Sequence, residues 1–197
     1  MMAQIDNKTY ERILAAADAL FSQRGYAAVR LRDIAEAVGL QHASLYYYVP
    51  GGKEQLFVEV LERNFQRHRE GLTQAIQNAG EDIRQQMLAV MGWFLSQPPM
   101  DLARLYYADM PQIDPAQAER LMRLALDAMS IPVCSAIEAA NEAGQIAIAN
   151  PFMAAMTLVN LAQGVKLIPA SYLSKVERRA EISAEVVDML LNGWRKR

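Results

Sequence analysis

The stretch RDIAEAVGLQHASLYYYV, residues 32–49, decides the fold. Ala35, Gly39 and Leu45 fall at relative positions 1, 5 and 11, and Ile34, Val38 and Leu40 fill the apolar places between them. Two short helices that cross steeply need a small side chain where their backbones approach, which Ala35 supplies. The turn needs a residue that tolerates positive φ, which is Gly39. The second helix needs an anchor facing the first, which is Leu45. This spacing predicts a helix-turn-helix whose second helix is presented outward, with its N-terminal residues free to enter a DNA major groove.

Three consecutive tyrosines, Tyr46, Tyr47 and Tyr48, sharpen that reading. Successive helical side chains turn by about 100°, so the rings cannot share one core. Leu45 and Val49 lie about 40° apart and face inward. Tyr48 flanks that face and is expected to be half packed. Tyr46 and Tyr47 point away, with the small Ala43 between them in angle, so the helix can lie deep in a groove. A tyrosine hydroxyl can bond a phosphate while its ring packs on sugar or on a thymine methyl. Gln41, His42 and Ser44 add short polar groups at the helix N-terminus, where the dipole favours phosphate. Lys53 can contact phosphate with its backbone amide and its ammonium, and Arg32 can reach a guanine edge or a phosphate. Taken singly, a tyrosine on a short helix is more often a packing residue, and Arg32 and Lys53 could be solvated charges. The motif tips the balance toward DNA.

The rest of the chain reads as helix almost throughout. Alternating β-branched patterns are essentially missing from the 197 residues. Residues 8–24 carry an apolar stripe of Ile13, Leu14, Ala17, Leu20 and Phe21, and Gly25 is placed to end that helix. A long helix is expected from Lys53 to the late 70s. Further helices are expected at about 81–96, 100–110, 115–143 with a kink near Pro132, 151–168 and 175–194. The architecture expected is all-α, with a three-helix DNA-binding domain at 1–53 and a larger helical bundle domain at 54–197. The composition shift near residue 53 sets that boundary.

Composition bounds the function. Hydrophobic residues make up 52%, charged residues 21%, and the formal net charge is −2. A uniformly basic nucleic-acid binder is disfavoured, while a local patch is not. Cys134 is the single cysteine, so no intrachain disulfide can form and an intracellular, cytoplasmic location is expected. The polar opening MMAQIDNKTYER has no signal-peptide core. FMAAMTLVNLAQGVKLIP, from Phe152, is interrupted by Asn160, Gln163 and Lys166, so it suits a buried or interface helix rather than a membrane span.

The segment RGYAAVRLRDIAEAVGLQHASLYYYVPGGKEQLFVEVL resembles the N-terminal domain of the TetR family of bacterial transcriptional regulators. The motifs that carry the resemblance, over roughly residues 8–61, are GY after the first helix, RDIAEAVG, SLYYYV and KEQLF. The resemblance implies a homodimer with a three-helix DNA-binding domain and a larger helical domain that holds a small-molecule site and the dimer interface. It implies a repressor released from a palindromic operator by ligand. By position it implies DNA contacts from Arg32, Gln41, His42, Ala43, Ser44, Tyr46, Tyr47 and Lys53. Val29 and Arg30 stand where the family usually has a capping threonine or serine, so the cap is expected to be lost at about 1 kcal/mol. Arg30 is then expected to take over the phosphate contact. The Pro50-Gly51-Gly52 loop is one residue longer than the commonest form.

For the larger domain, the expected pocket residues are Trp93, Phe94, Tyr106, Tyr107, Met110, Met122, Leu126, Met129 and Cys134. Their mix suits an apolar or aromatic effector. The expected dimer interface is a two-subunit four-helix bundle using Met156, Val159, Asn160, Gln163, Gly164, Leu167, Val186 and Leu190, with Gly164 allowing close backbone approach. The alternatives are that the pocket residues are plain core and that these helical faces are an internal core. No cofactor and no metal are expected, and neither is catalysis. Neither His42 nor His68 stands three residues after a glutamate, as a di-iron bundle requires. GGKE lacks the serine or threonine and the first glycine of a phosphate-binding loop. An all-α enzyme and a helical interaction protein without DNA binding are the rival readings, and the QHASLYY helix argues against the second.

Overall fold

A computed structural model describes residues 7–98, 100–172 and 177–194. Among the described residues there are helices and connecting turns and no strand. The helices are α1 (Asn7–Arg24), α2 (Leu31–Ala37), α3 (His42–Tyr48), α4 (Gly52–Asn78), α5 (Ile83–Ser96), α6 (Leu102–Arg104), α7 (Pro115–Glu142), α8 (Pro151–Leu167) and α9 (Glu177–Trp194). The last expected helix began at Lys175, which lies outside the described residues.

Two compact units share these helices. The first comprises Met1–Asn64 and Met100–Leu124, the second Phe65–Pro99 and Ala125–Arg197. The chain therefore leaves the second unit at residue 100 and returns to it at 125. In the first unit the α1 stripe is buried as its spacing requires, with Ile13, Leu14, Ala17 and Phe21 inside. Phe21, Tyr26 and Phe57 form an aromatic cluster with centroid separations of 4.7–6.0 Å. The α2 C-terminus closes as the sequence dictates. Gly39 takes φ +72°, its N–H donates to the Glu36 carbonyl, and the Leu40 N–H donates to the Ala35 carbonyl. This paired bonding satisfies two carbonyls that the helix end would leave open.

The expected helix at 100–110 is not uniform. One α turn (Leu102–Arg104) passes into a π-helical turn, Leu105–Asp109, and then a 3-10 turn, Met110–Gln112. Pro111 lacks an N–H and its ring would clash with the carbonyl four residues back, so an α continuation is closed to it. The wider turn also carries Asp109 inward, where it is only 4% exposed.

In the second unit α5, α8 and α9 pack together. Met87, Val90, Met91 and Phe94 of α5, Ala155, Leu158, Val159, Ala162 and Val165 of α8, and Val187 and Leu191 of α9 form its core. The Asp82 carboxylate caps α5 by accepting the Gln85 N–H at 2.8 Å. The Lys166 ammonium closes the other end, donating to the carbonyls of Phe94, Gln97 and Pro98. The Arg84 guanidinium makes a two-pronged bond to Asp188, at 2.7 and 3.0 Å, between α5 and α9. His68, on α4, is buried and stacked on Phe94, and its Nδ1 accepts the Trp93 indole N–H at 3.3 Å. Burial first, with Arg67 and Lys166 nearby, lowers the His68 pKa to about 4. The ring is therefore neutral at physiological pH, with its proton on Nε2.

Candidate nucleic-acid interface

The reading helix is set by three buried side chains. Leu45 and Val49 are fully buried and Ala35 is 1% exposed, so α3 is pinned to α2 along one edge. Its opposite edge is bare. Gln41, His42, Ala43 and Ser44 are exposed, Tyr46 is 48% exposed and Tyr47 51%. Tyr48 is half-buried, as its angle on the wheel predicts. Both outward rings are braced edge-to-face. His42 packs against Tyr46 and Tyr48 against Tyr47, each at a centroid separation of 5.3 Å. Such pairs favour one ring pose over free rotation.

The basic side chains around this helix differ in their freedom. Arg30 is exposed, and its backbone N–H donates to the Asp33 carboxylate at 2.8 Å. Part of the missing cap at α2 is thus restored from the third helical position. Arg32 keeps a side chain 61% exposed and only a long contact, 3.7 Å, to Asp33. Lys53 is different. Its ammonium donates to the Tyr26 carbonyl at 2.9 Å and sits 3.9 Å from the centre of the Tyr26 ring. Partial burial lowers its pKa. The structure therefore turns the Lys53 ammonium toward Tyr26.

The remaining site expectations scatter. Of the pocket residues, Tyr106, Tyr107, Met110 and Met122 belong to the first compact unit, and Trp93, Phe94, Leu126, Met129 and Cys134 to the second. Phe94, Met110 and Met129 are buried, whereas Tyr107 is 86% exposed and Met122 41%. A cavity of about 430 Å³ in the second unit has a floor of Ile76, Pro132 and Ala136 and a rim with Arg69 and Gln86, and it contains none of the expected set. Burial first, then the neighbouring Glu138 carboxylate, raises the Cys134 pKa, so its thiol is held in the protonated form.

On the expected dimer faces, Val159 is 4% exposed and already packed within one chain. Leu167 is 72% exposed, Asn160 and Gly164 are exposed, and Met156, Gln163, Val186 and Leu190 are half-buried. Among the described residues, a Cβ at Gly164 would meet nothing within 4 Å. No group of three or more metal-ligating side chains converges among the described residues. No helix among them is long and apolar enough to cross a membrane.

Sequence reasoning missed Arg104 and Asp109 and read Tyr26 only as part of the GY motif. The Asp109 carboxylate accepts the Tyr26 backbone N–H at 2.8 Å. Arg104 donates to the Phe21 and Ser22 carbonyls, at 3.1 and 2.7 Å, at the end of α1, and its Nε lies 3.5 Å from Asp109. The signal available was an aspartate four residues after Leu105 on an apolar face, a place a carboxylate occupies only when partnered.

Comparison with known proteins adds two family matches. Residues 13–60 match the model for bacterial regulatory proteins of the tetR family, and residues 81–195 match that of the AefR-like transcriptional repressor C-terminal domain. The chain belongs to the TetR family. Within it, the HTH-type transcriptional regulator LmrA of Bacillus subtilis is 47% identical over 51 residues, 26% of this chain and 27% of LmrA. The HTH-type transcriptional repressor NemR of Escherichia coli is 28% identical over 97 residues, 49% of this chain and 48% of NemR. The chain thus spans between about a quarter and a half of the curated relatives it matches. The fold extends further. The structure of reduced E. coli NemR superposes with a TM-score of 0.72 at 22% identity, covering 92% of this chain and 96% of NemR. That of B. subtilis FadR in complex with stearoyl-CoA gives 0.69 at 16% identity, covering 93% and 98%.

Proposed function

We propose that this TetR-family chain is a ligand-responsive DNA-binding regulator, acting as a homodimeric repressor on a palindromic operator and released by a small apolar or aromatic effector. The observation that carries the reading is α3 itself. It is anchored by Leu45 and Val49 and leaves Gln41, His42, Ala43, Ser44, Tyr46 and Tyr47 exposed. Half-exposed aromatic rings and short polar tips on an outward helix are the chemistry of groove binding. Arg30 and Arg32 flank it for phosphate and base edges.

Dimerisation is assigned to the outward sides of α8 and α9, through Met156, Asn160, Gln163, Gly164, Leu167, Val186 and Leu190. Two heads would then meet successive major-groove turns about 34 Å apart. The stearoyl-CoA bound by FadR supports an effector with a large apolar part. The protein is a regulator in the cytoplasm rather than an enzyme.

The test is selection of duplexes from a random library by the purified protein, followed by fluorescence anisotropy across a salt series. The reading expects an inverted repeat and log K falling with log salt by about 0.9 for each phosphate engaged. Selection of no sequence, or binding indifferent to salt, refutes it.

A further inference from the structure

Tyr26 is held from several sides at once. Its N–H donates to Asp109, its carbonyl accepts from the Lys53 ammonium, and its ring lies beneath that ammonium and against Phe57. Asp109 is backed in turn by Arg104, which also holds the last carbonyls of α1. The pair Gly25–Tyr26 is shaped for this. Gly25 has φ +77°, and a Cβ there would come within 3.1 Å of the Asp109 carboxylate. Only glycine both adopts the turn and leaves the carboxylate room.

The position of the two partners along the chain gives this cluster a role. Residues 27–52 contain the whole helix-turn-helix, and Tyr26 and Lys53 are the residues that flank it. Their bond ties the two ends of that segment together. The Tyr26 carbonyl takes one of the ammonium's three N–H donors, and the ring faces its charge.

We propose that Lys53 is a positioning residue that closes the base of the helix-turn-helix on Tyr26, and that Asp109 braces the same residue from the segment 100–124. Together they set the pose of α3. Further ties join this segment to α4: the Asp114 N–H donates to Glu54 at 3.2 Å, and Arg120 pairs with Glu62 at 2.5 Å. The inference rests on the DNA-binding reading above.

The experiment uses the full chain and the duplex it selects, at a temperature well below the melting point of every variant. Lys53→Met keeps an unbranched side chain of similar length and removes the donor and the charge over the ring. Asp109→Asn keeps an acceptor for the Tyr26 N–H and removes the charge facing Arg104. Each is expected to weaken binding by roughly 5-fold or more with the salt slope of the wild type, and the double variant to fall short of the product of the two losses. A slope for Lys53→Met shallower by about 0.9 would mark an ordinary phosphate contact and overturn the proposal. Unchanged affinity, or losses that multiply, would overturn it too. If the wild-type chain selects no duplex, the fault lies in the functional reading. If it selects one and Lys53→Met changes the slope, the fault lies in this inference alone.

Discussion

Leu45 and Tyr47 stand two residues apart on the same seven-residue helix, and their truncation to alanine should have opposite effects. Leu45 is fully buried, so Leu45→Ala loses its transfer free energy and leaves a cavity, at about 2–5 kcal/mol. Tyr47 is 51% exposed and is braced by the Tyr48 ring. Its truncation removes that ring pair, at about 1 kcal/mol, from a side chain that is half in solvent. For a chain of this size each kcal/mol moves Tm by about 2–4 °C. Tyr47→Ala should therefore melt within about 4 °C of wild type, and Leu45→Ala should melt about 4–20 °C lower. Binding should reverse the order of interest. The folded Tyr47→Ala protein should lose about 1–3 kcal/mol of operator affinity, tenfold or more at the middle of that range. Circular dichroism melts and anisotropy titrations on the same preparations measure both. A Tyr47→Ala variant that melts as low as Leu45→Ala, yet binds normally while folded, would show that the ring belongs to the core and would remove α3 as the reading edge.

Two further perturbations test the second unit. Because burial lowers the His68 pKa to about 4 from 6.5, the folded state takes up its proton later than the unfolded state. The stability this contributes is complete above pH 6.5 and is lost as pH falls from 6.5 through 4, by up to about 3 kcal/mol. His68→Phe should flatten that acid limb, and an imidazole NMR titration with a midpoint near 6.5 would contradict the burial argument. Gly71 lies under Trp93, where an added Cβ would come within 2.0 Å of the indole ring. Gly71→Ala gains about 1 kcal/mol of helix propensity and incurs an overpacking cost of about 1–3 kcal/mol. The expected net is a loss of about 1 kcal/mol with an altered near-ultraviolet spectrum. A raised Tm with an unchanged spectrum would show that the ring moves aside freely.

The elements legible in the sequence were those governed by local rules. Ala35, Gly39 and Leu45 were readable because steric size, positive φ and wheel angle are properties of single positions. Tyr46, Tyr47 and Tyr48 sorted by angle alone for the same reason. What stayed hidden depended on partners distant in the chain. The wheel shows Lys53 at a helix start, but not that the Tyr26 carbonyl, 27 residues away, would take its ammonium. Periodicity predicted one helix across 100–110, yet the need to bring Asp109 to the Tyr26 N–H and the block at Pro111 divide it into three kinds of turn. Apolar stripes showed that Phe94, Met110 and Met129 would be buried. They carried no information on which compact unit each would join, so the expected pocket set fell into two groups.

The excursion of residues 100–124 into the first unit bears on how such regulators can be recombined. A graft that takes everything up to Asn64 onto a foreign body would cut the guanidinium and carboxylate away from the carbonyls and amide they serve. The transplanted head would arrive with its rear latch missing. A working chimera of this protein therefore has to carry two separate pieces of its gene product, the opening stretch and the later 25-residue visitor, or else supply an equivalent arginine and aspartate from the new host.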